Sequence, residues 1–235
     1  MKKSINKSTL MFMLNGVSIL SLIFLVFSLF SYGNISGKLN QANEDRFKLT
    51  YNANRFMNGS AYLTNEVRAF ASTGDQEHFE NYWNEVDNLK NRDKGITAMQ
   101  EIGITSEEQS MIDDMSELSN SLVPLEDKAM ENVQNGKQKK ALDYVYGKDY
   151  NTAITKINSL KEQFLTTLDD RTLAEVEALR QRSEFIKFTM IAALAIVALM
   201  QILSMIVVRW QILRPVIAVR DQMGEISHGN LSADF

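Results

Sequence analysis

The sequence predicts an all-α protein: an antiparallel, up-down four-helix bundle held between two transmembrane helices and followed by a short additional helix. Three observations carry this. Two uncharged runs of 21 residues, Leu10–Phe30 and Phe188–Val208, are each long enough to cross a bilayer core as a helix. An apolar stripe with alternating spacings of four and three begins after the first run and continues for five heptads. Glycine (11) and proline (2) are too scarce for a turn-rich β domain.

In order, residues 1–9 read as a cytoplasmic tail and 10–32 as the first transmembrane helix. Residues 33–187 form the extracytoplasmic domain, 188–208 the second span and 209–235 the start of a cytoplasmic module. The first span is too long for a cleaved signal and lacks the small-residue cleavage pattern, so it reads as an uncleaved anchor. Orientation follows from Lys2, Lys3 and Lys7 before the first span and Arg209, Arg214 and Arg220 after the second. Basic flanks face the cytoplasm, which puts both termini inside, the middle domain outside and the chain in the cell membrane as a multi-pass protein. That domain carries 19 basic and 26 acidic side chains and gives no reason to expect nucleic acid as a partner. The absence of cysteine removes disulfides and thiolate metal sites.

The first bundle helix carries Ile35, Leu39, Ala42, Arg46, Leu49, Ala53, Phe56, Ser60, Leu63, Val67 and Phe70 as one seam. It stops at Ser72-Thr73-Gly74-Asp75, a glycine end signal followed by capping residues. A second helix is predicted unbroken from Gln76 to Glu101, its stripe being Phe79, Tyr82, Val86, Leu89, Asp93 and Ile96. The third starts at Thr105, which forms a capping box with Glu108, and Pro124 is expected to kink it. A short piece, Gln138–Tyr146, precedes a fourth helix that runs from about Asp149 into the second span. Short connections give the up-down arrangement.

Beyond the second span, Ile212, Val216, Val219, Met223 and Ile226 keep the four-three rhythm of a parallel coiled-coil seam. No nucleotide-binding, metalloprotease or serine-hydrolase motif occurs, so no catalytic residue, cofactor or resident metal is expected and the chain does not read as an enzyme. The two histidines, His78 and His228, fall on opposite sides of the membrane in this topology and cannot share a metal.

The segments LTNEVRAFASTGDQEHFENYW (63–83), RDKGI (92–96), SNSLVPLEDKAM (119–130) and ALDYVYGKDY (141–150), set between two spans and followed by ILRP and ISHGNL, resemble the sensor half of a methyl-accepting chemotaxis receptor. The last stretch is similar to the first helix and connector of a HAMP relay, whose second helix is absent, and the expectation is a fragment of a longer receptor. The resemblance implies a parallel homodimer that senses a small molecule or a solute-binding protein. It also implies a signal-relay set of Pro215, Val216, Val219, Met223, Ile226 and Gly229, and contact with a cytoplasmic kinase only through an output domain not contained in this sequence. VRAFASTGD is also similar to helical sensor domains of histidine kinases. The same architecture therefore serves as the input of a histidine kinase or diguanylate cyclase, or as a membrane-anchored structural bundle.

Arg68 is the preferred ligand-binding residue. The resemblance implies a small ligand bound near this end of the first helix, between the first and fourth helices of two subunits, and a guanidinium pairs with a carboxylate in bidentate fashion. Asn65, Asn151 and Thr155 are expected to complete the pocket. The plainer alternative places Arg68 on a solvated face beside Glu66 or Asp75. Arg46, Ser60 and Asp93 occupy seam positions, where a buried charge requires a partner; the favoured reading is that the seam turns outward locally and these side chains reach water, the alternative being an inward Asp93 paired with Arg55 at the same level. Tyr82 and Trp83 are read as core or tip packing.

Overall fold

Few helix breakers and an uninterrupted apolar rhythm favour long helices, and every element among the described residues is helical. The computed structural model describes residues 7–227, with the backbone alone at 7, 8, 10, 211, 212, 222 and 225–227. α1 spans Lys7–Thr73, α2 Gln76–Asn84, α3 Asn91–Ile102, α4 Ser106–Gln134, α5 Gln138–Val145, α6 Lys148–Val208 and α7 Arg214–Ser227. Wider π-helical turns occupy Glu85–Leu89 and Arg209–Leu213.

The chain divides into two compact units. One is Leu39–Ala178; the other combines the stretches up to Lys38 and from Leu179 onward. Two helical stretches, Met11–Thr73 and Gln138–Val208, each contain a window long and apolar enough to cross a membrane. Only 11% and 6% of their apolar windows are buried, the opposite of the core helix of a soluble protein. A polar contact joins them: Gln201 Nε2 donates to the buried Ser18 Oγ at 3.0 Å. The Arg214 guanidinium lies 4.0 Å above the Trp210 ring beside the π-helical turn.

In Leu39–Ala178 the seam of α1 is the organising surface. Ala42, Leu49, Ala53, Phe56, Leu63, Val67 and Phe70 are buried, whereas Arg46 and Ser60 are half-buried. The seam feeds two apolar clusters. One gathers Leu63, Val67 and Phe70 with Tyr82 of α2, Leu122 and Met130 of α4, Val145 of α5 and Tyr150 of α6. The other gathers Leu49, Phe56 and Met57 with Met99 of α3, Ile112 and Met115 of α4, and Phe164 and Leu168 of α6. Each fully buried large side chain contributes about 1.5–3 kcal/mol.

The expected second helix is broken. The Glu85 carboxylate is buried and turns back on Asn91, accepting from its backbone N–H and its side-chain amide at 2.8 Å each. This caps α3 from within the preceding turn and requires Lys90 to adopt a left-handed conformation at φ 51°. Val86 and Leu89 are thereby turned outward, to 37% and 44% exposure, and Asp93 is exposed as well. α3 instead meets α1 through Gly95: a Cβ there would lie 2.7 Å from the Asn52 carbonyl and 2.8 Å from the Phe56 backbone nitrogen.

Other boundaries follow the sequence closely. Asp75 caps α2, accepting from Glu77 N–H, and Thr105 with Glu108 forms the complete capping box of α4. α4 runs as one helix through Pro124, which is exposed. Of the relay residues, Pro215, Val216, Val219 and Met223 lie exposed on α7. The Ile226 side chain and Gly229 lie outside the described residues.

Candidate ligand-binding site

Ser60 of α1 and Ser119 of α4 fall between the two apolar clusters, at levels where larger side chains would complete the core. A short hydroxyl side chain leaves volume unfilled, and a polar lining keeps that volume hydratable. The result is a cavity of about 220 Å³ among α1, α4 and α6. Phe56, Met57, Met115, Ile154 and Ile157 supply its apolar wall. Ser60, Thr64, Asn65, Ser119 and Asn158 supply uncharged polar groups, and Arg68 and Lys161 supply two positive charges. No carboxylate lines it.

Arg68 is held rather than free. Its Nε donates to the Val145 carbonyl at 3.1 Å and its Nη2 to Asn151 Oδ1 at 2.8 Å. The same guanidinium lies 4.9 Å from the centroid of the Tyr146 ring and 5.2 Å from that of Tyr150. Asn151 is fixed in turn by donating from Nδ2 to the Tyr146 carbonyl, and Thr155 donates its hydroxyl to the Asn151 carbonyl. Of the four residues predicted from sequence, Arg68 and Asn65 therefore line the cavity, Asn151 orients Arg68 from behind, and Thr155 is turned to its own helix. The plain alternative for Arg68 is not what forms: Glu66 accepts instead from His78 Nδ1 at 2.8 Å. Arg46 reaches Asp169 at 2.7 Å, with both side chains partly in water. Arg55 donates to Asn91 at 2.9 Å rather than pairing with Asp93.

A second cavity of about 190 Å³ shares Ser60, Thr64 and Ser119 with the first. Tyr82, Trp83, Arg92, Asn120 and Glu126 are among its other walls. Glu126 is buried, and its two oxygens accept from the Tyr82 hydroxyl at 2.6 Å and the Tyr150 hydroxyl at 2.7 Å. Burial pushes the Glu126 carboxyl above the usual range, against the lowering effect of the tyrosine hydrogen bonds and of the Arg92 charge. Burial raises both tyrosines as well, with the Glu126 charge adding to it. Arg92 is lowered by burial, and its Nε is fully buried without a hydrogen-bond partner.

Sequence reasoning missed Glu126 and Arg92. A carboxylate on a long helix reads as solvent-facing, and its partners are 44 and 24 residues away along the chain. The available signal was periodic: Glu126 falls four residues after Leu122 and three before Ala129, both buried positions of α4. Tyr82 is buried as expected, and Trp83 packs edge-on against it at 5.5 Å while remaining partly exposed.

The chain matches no family model, no curated protein and no solved structure.

Proposed function

We propose that this chain is the input half of a membrane-anchored receptor, with Leu39–Ala178 as an extracytoplasmic up-down four-helix bundle that takes up a small anionic solute. The observation that supports it best is the cavity among α1, α4 and α6, which carries Arg68 and Lys161 and no acid. Such a lining attracts an anion and rejects a cation, and the apolar wall accepts a hydrocarbon body. Both apolar stretches belong to the helices that line this cavity, α1 and α6.

In this reading the chain works as a parallel homodimer in the cell membrane, with both termini cytoplasmic. The ligand favours one arrangement of α1 against α6, and α7 receives the change as the start of a HAMP-like relay. A shift of about 1–2 Å is typical of such helix movements, and the ligand can supply only its differential affinity for the two states, commonly about 1–3 kcal/mol. The output in a longer receptor is control of a chemotaxis kinase.

The test is thermal unfolding of the full chain in lipid nanodiscs against a panel of organic acids, amino acids, sugars and amines. A bound acid at a hundred times its dissociation constant stabilises the fold by about 2.7 kcal/mol. The expected result is a raised Tm with acids, lost in Arg68→Gln. Stabilisation by amines alone, or by nothing in the panel, overturns the reading.

A further inference from the structure

Two grooves open along α1 and α6 within the unit made of the stretches up to Lys38 and from Leu179 onward. One, of about 340 Å³, is lined by Ser31, Asn34 and Ile35 of α1 and by Arg182, Phe185 and Ile186 of α6. The other, of about 410 Å³, is mainly apolar, with Leu20, Phe24, Ala192 and Ile196 in its walls. Neither lining includes a carboxylate. Both grooves follow one face of each helix. On α1, Val17, Ser21, Phe24, Ser31 and Ile35 succeed one another at spacings of four, three, seven and four. On α6, Arg182, Ile186, Thr189, Ala193 and Ile196 succeed one another at four, three, four and three.

Their positions match the depth of a lipid. Ser31 and Asn34 follow the end of the first apolar run at Phe30, and Arg182 and Phe185 precede the start of the second at Phe188. The polar groove thus lies about 2–9 Å beyond the apolar runs, at the level of lipid headgroups. The apolar groove reaches about 12 Å inside the second run, at Ile196, and about 20 Å inside the first, at Val17, which brackets the ~15 Å of hydrocarbon in one leaflet. Lys187 marks the same boundary, its Nζ 5.8 Å from the centroid of the Tyr32 ring, and it is paired with Glu184 at 2.6 Å. Arg182 has no hydrogen-bond or ion-pair partner among the described residues. A second copy of this chain would offer its own Arg182 and no acid from the same face, so like charge opposes that occupant.

Resting on the reading of the two apolar runs as membrane spans, we propose that this face of α1 and α6 is a binding site for one anionic glycerophospholipid of the leaflet next to Arg182. Arg182 takes the phosphate, Ser31 and Asn34 donate to phosphate or glycerol oxygens, and an acyl chain lies along Phe24, Ala192 and Ile196. An anionic lipid is preferred to a zwitterionic one, whose ammonium group finds no carboxylate in the groove.

The test is native mass spectrometry of the full chain released from detergent micelles, with phosphatidylglycerol and phosphatidylcholine of identical acyl chains offered together. The expected result is one phosphatidylglycerol retained per chain, about fivefold or more over phosphatidylcholine. Arg182→Gln removes that preference. Lys38→Gln, which removes an exposed cation of α1 outside the groove, keeps it. Ala192→Phe fills the apolar groove from an exposed position and lowers the retention of both lipids. Glycerol 3-phosphate, a headgroup without chains, does not displace the lipid. Equal retention of the two lipids by the parent protein overturns the site, as does a preference that survives Arg182→Gln or is lost equally in Lys38→Gln. Undiminished retention in Ala192→Phe overturns the seat of the acyl chain, and displacement by glycerol 3-phosphate overturns a lipid as the occupant. All of these leave the membrane reading standing. A chain that is monodisperse in water without detergent and takes up neither lipid overturns the membrane reading and this proposal together.

Discussion

Arg171 reaches from α6 to the first turn of α4 and clasps Glu108 with two hydrogen bonds, Nε to Oε1 at 2.7 Å and Nη2 to Oε2 at 3.1 Å. The Glu108 side chain is wholly buried, and Oε2 also accepts from the Thr105 backbone N–H at 2.8 Å. One carboxylate thus completes a helix cap and ties two helices together. Arg171→Ala strips the ion-pair partner from a buried charge. The expected loss is about 3–5 kcal/mol, read as a lower Tm or urea midpoint. Glu108→Gln with Arg171→Met removes both charges and should lose less than Arg171→Ala alone.

Gly95 gives a second test. Elsewhere in a helix, replacing glycine by alanine gains about 1 kcal/mol. At Gly95 the new methyl group would meet the Asn52 carbonyl and the Phe56 backbone, which cannot move as a side-chain tip can. Gly95→Ala should therefore destabilise, by about 1–3 kcal/mol. Gly37→Ala, where a Cβ meets nothing within 4 Å, should stabilise. Thermal denaturation of both variants checks the contrast, and a stabilised Gly95→Ala would sink the close approach of α1 and α3.

Lys90 offers the opposite sign. A non-glycine residue held at φ 51° costs about 1–2 kcal/mol, part of which glycine recovers after its larger entropy in the unfolded chain is counted. Lys90→Gly is expected to stabilise by about 0.5–1 kcal/mol. Lys90→Val should destabilise. Denaturant midpoints of the two variants measure both.

The buried Glu126 predicts a pH effect. Burial raises its native pKa above the ordinary value of 4.5. The native state then holds a proton that the unfolded chain has released, so stability falls as pH rises from about 4.5 to the raised native value and stays lower above it. The slope within that window is at most about 1.4 kcal/mol per pH unit. Tyr82, Tyr150, Arg92 and Asp127 are the other groups acting on this carboxyl. The two tyrosines are shifted further from neutrality and do not titrate in the window. Glu126→Gln can accept from one tyrosine and donate to the other. It should lack the decline, so its stability relative to the parent protein should grow between pH 4.5 and 7. A constant difference across that range would exclude a raised native pKa.

The heptad seam of α1 was legible because its spacing is local and long: seven of its apolar members, from Ala42 to Phe70, are buried. The cap at Thr105 was legible for the same reason, since both halves of the box sit within four residues. What escaped depended on partners far along the chain. The break after Asn84 is produced by a buried Glu85 turning onto Asn91, and no composition signal marks it, because Lys90 stands where glycine would have announced the turn. Arg68 stood out from the residues of its segment, but its real neighbours, Val145 and Asn151, are 77 and 83 residues distant. Glu126 and Arg92 looked like surface charges for the same reason.

The hydroxyl row at Ser60, Thr64 and Ser119 has a consequence for volume. Compression favours the state that eliminates internal void, and unfolding lets water into space that packing leaves open. Whatever part of the adjoining cavities of about 220 and 190 Å³ water does not fill is void that unfolding eliminates, and pressure should destabilise Leu39–Ala178 in proportion to it. Filling them, with a bound acid or with Ser60→Leu, should raise the pressure needed to unfold the unit even where the melting temperature scarcely moves.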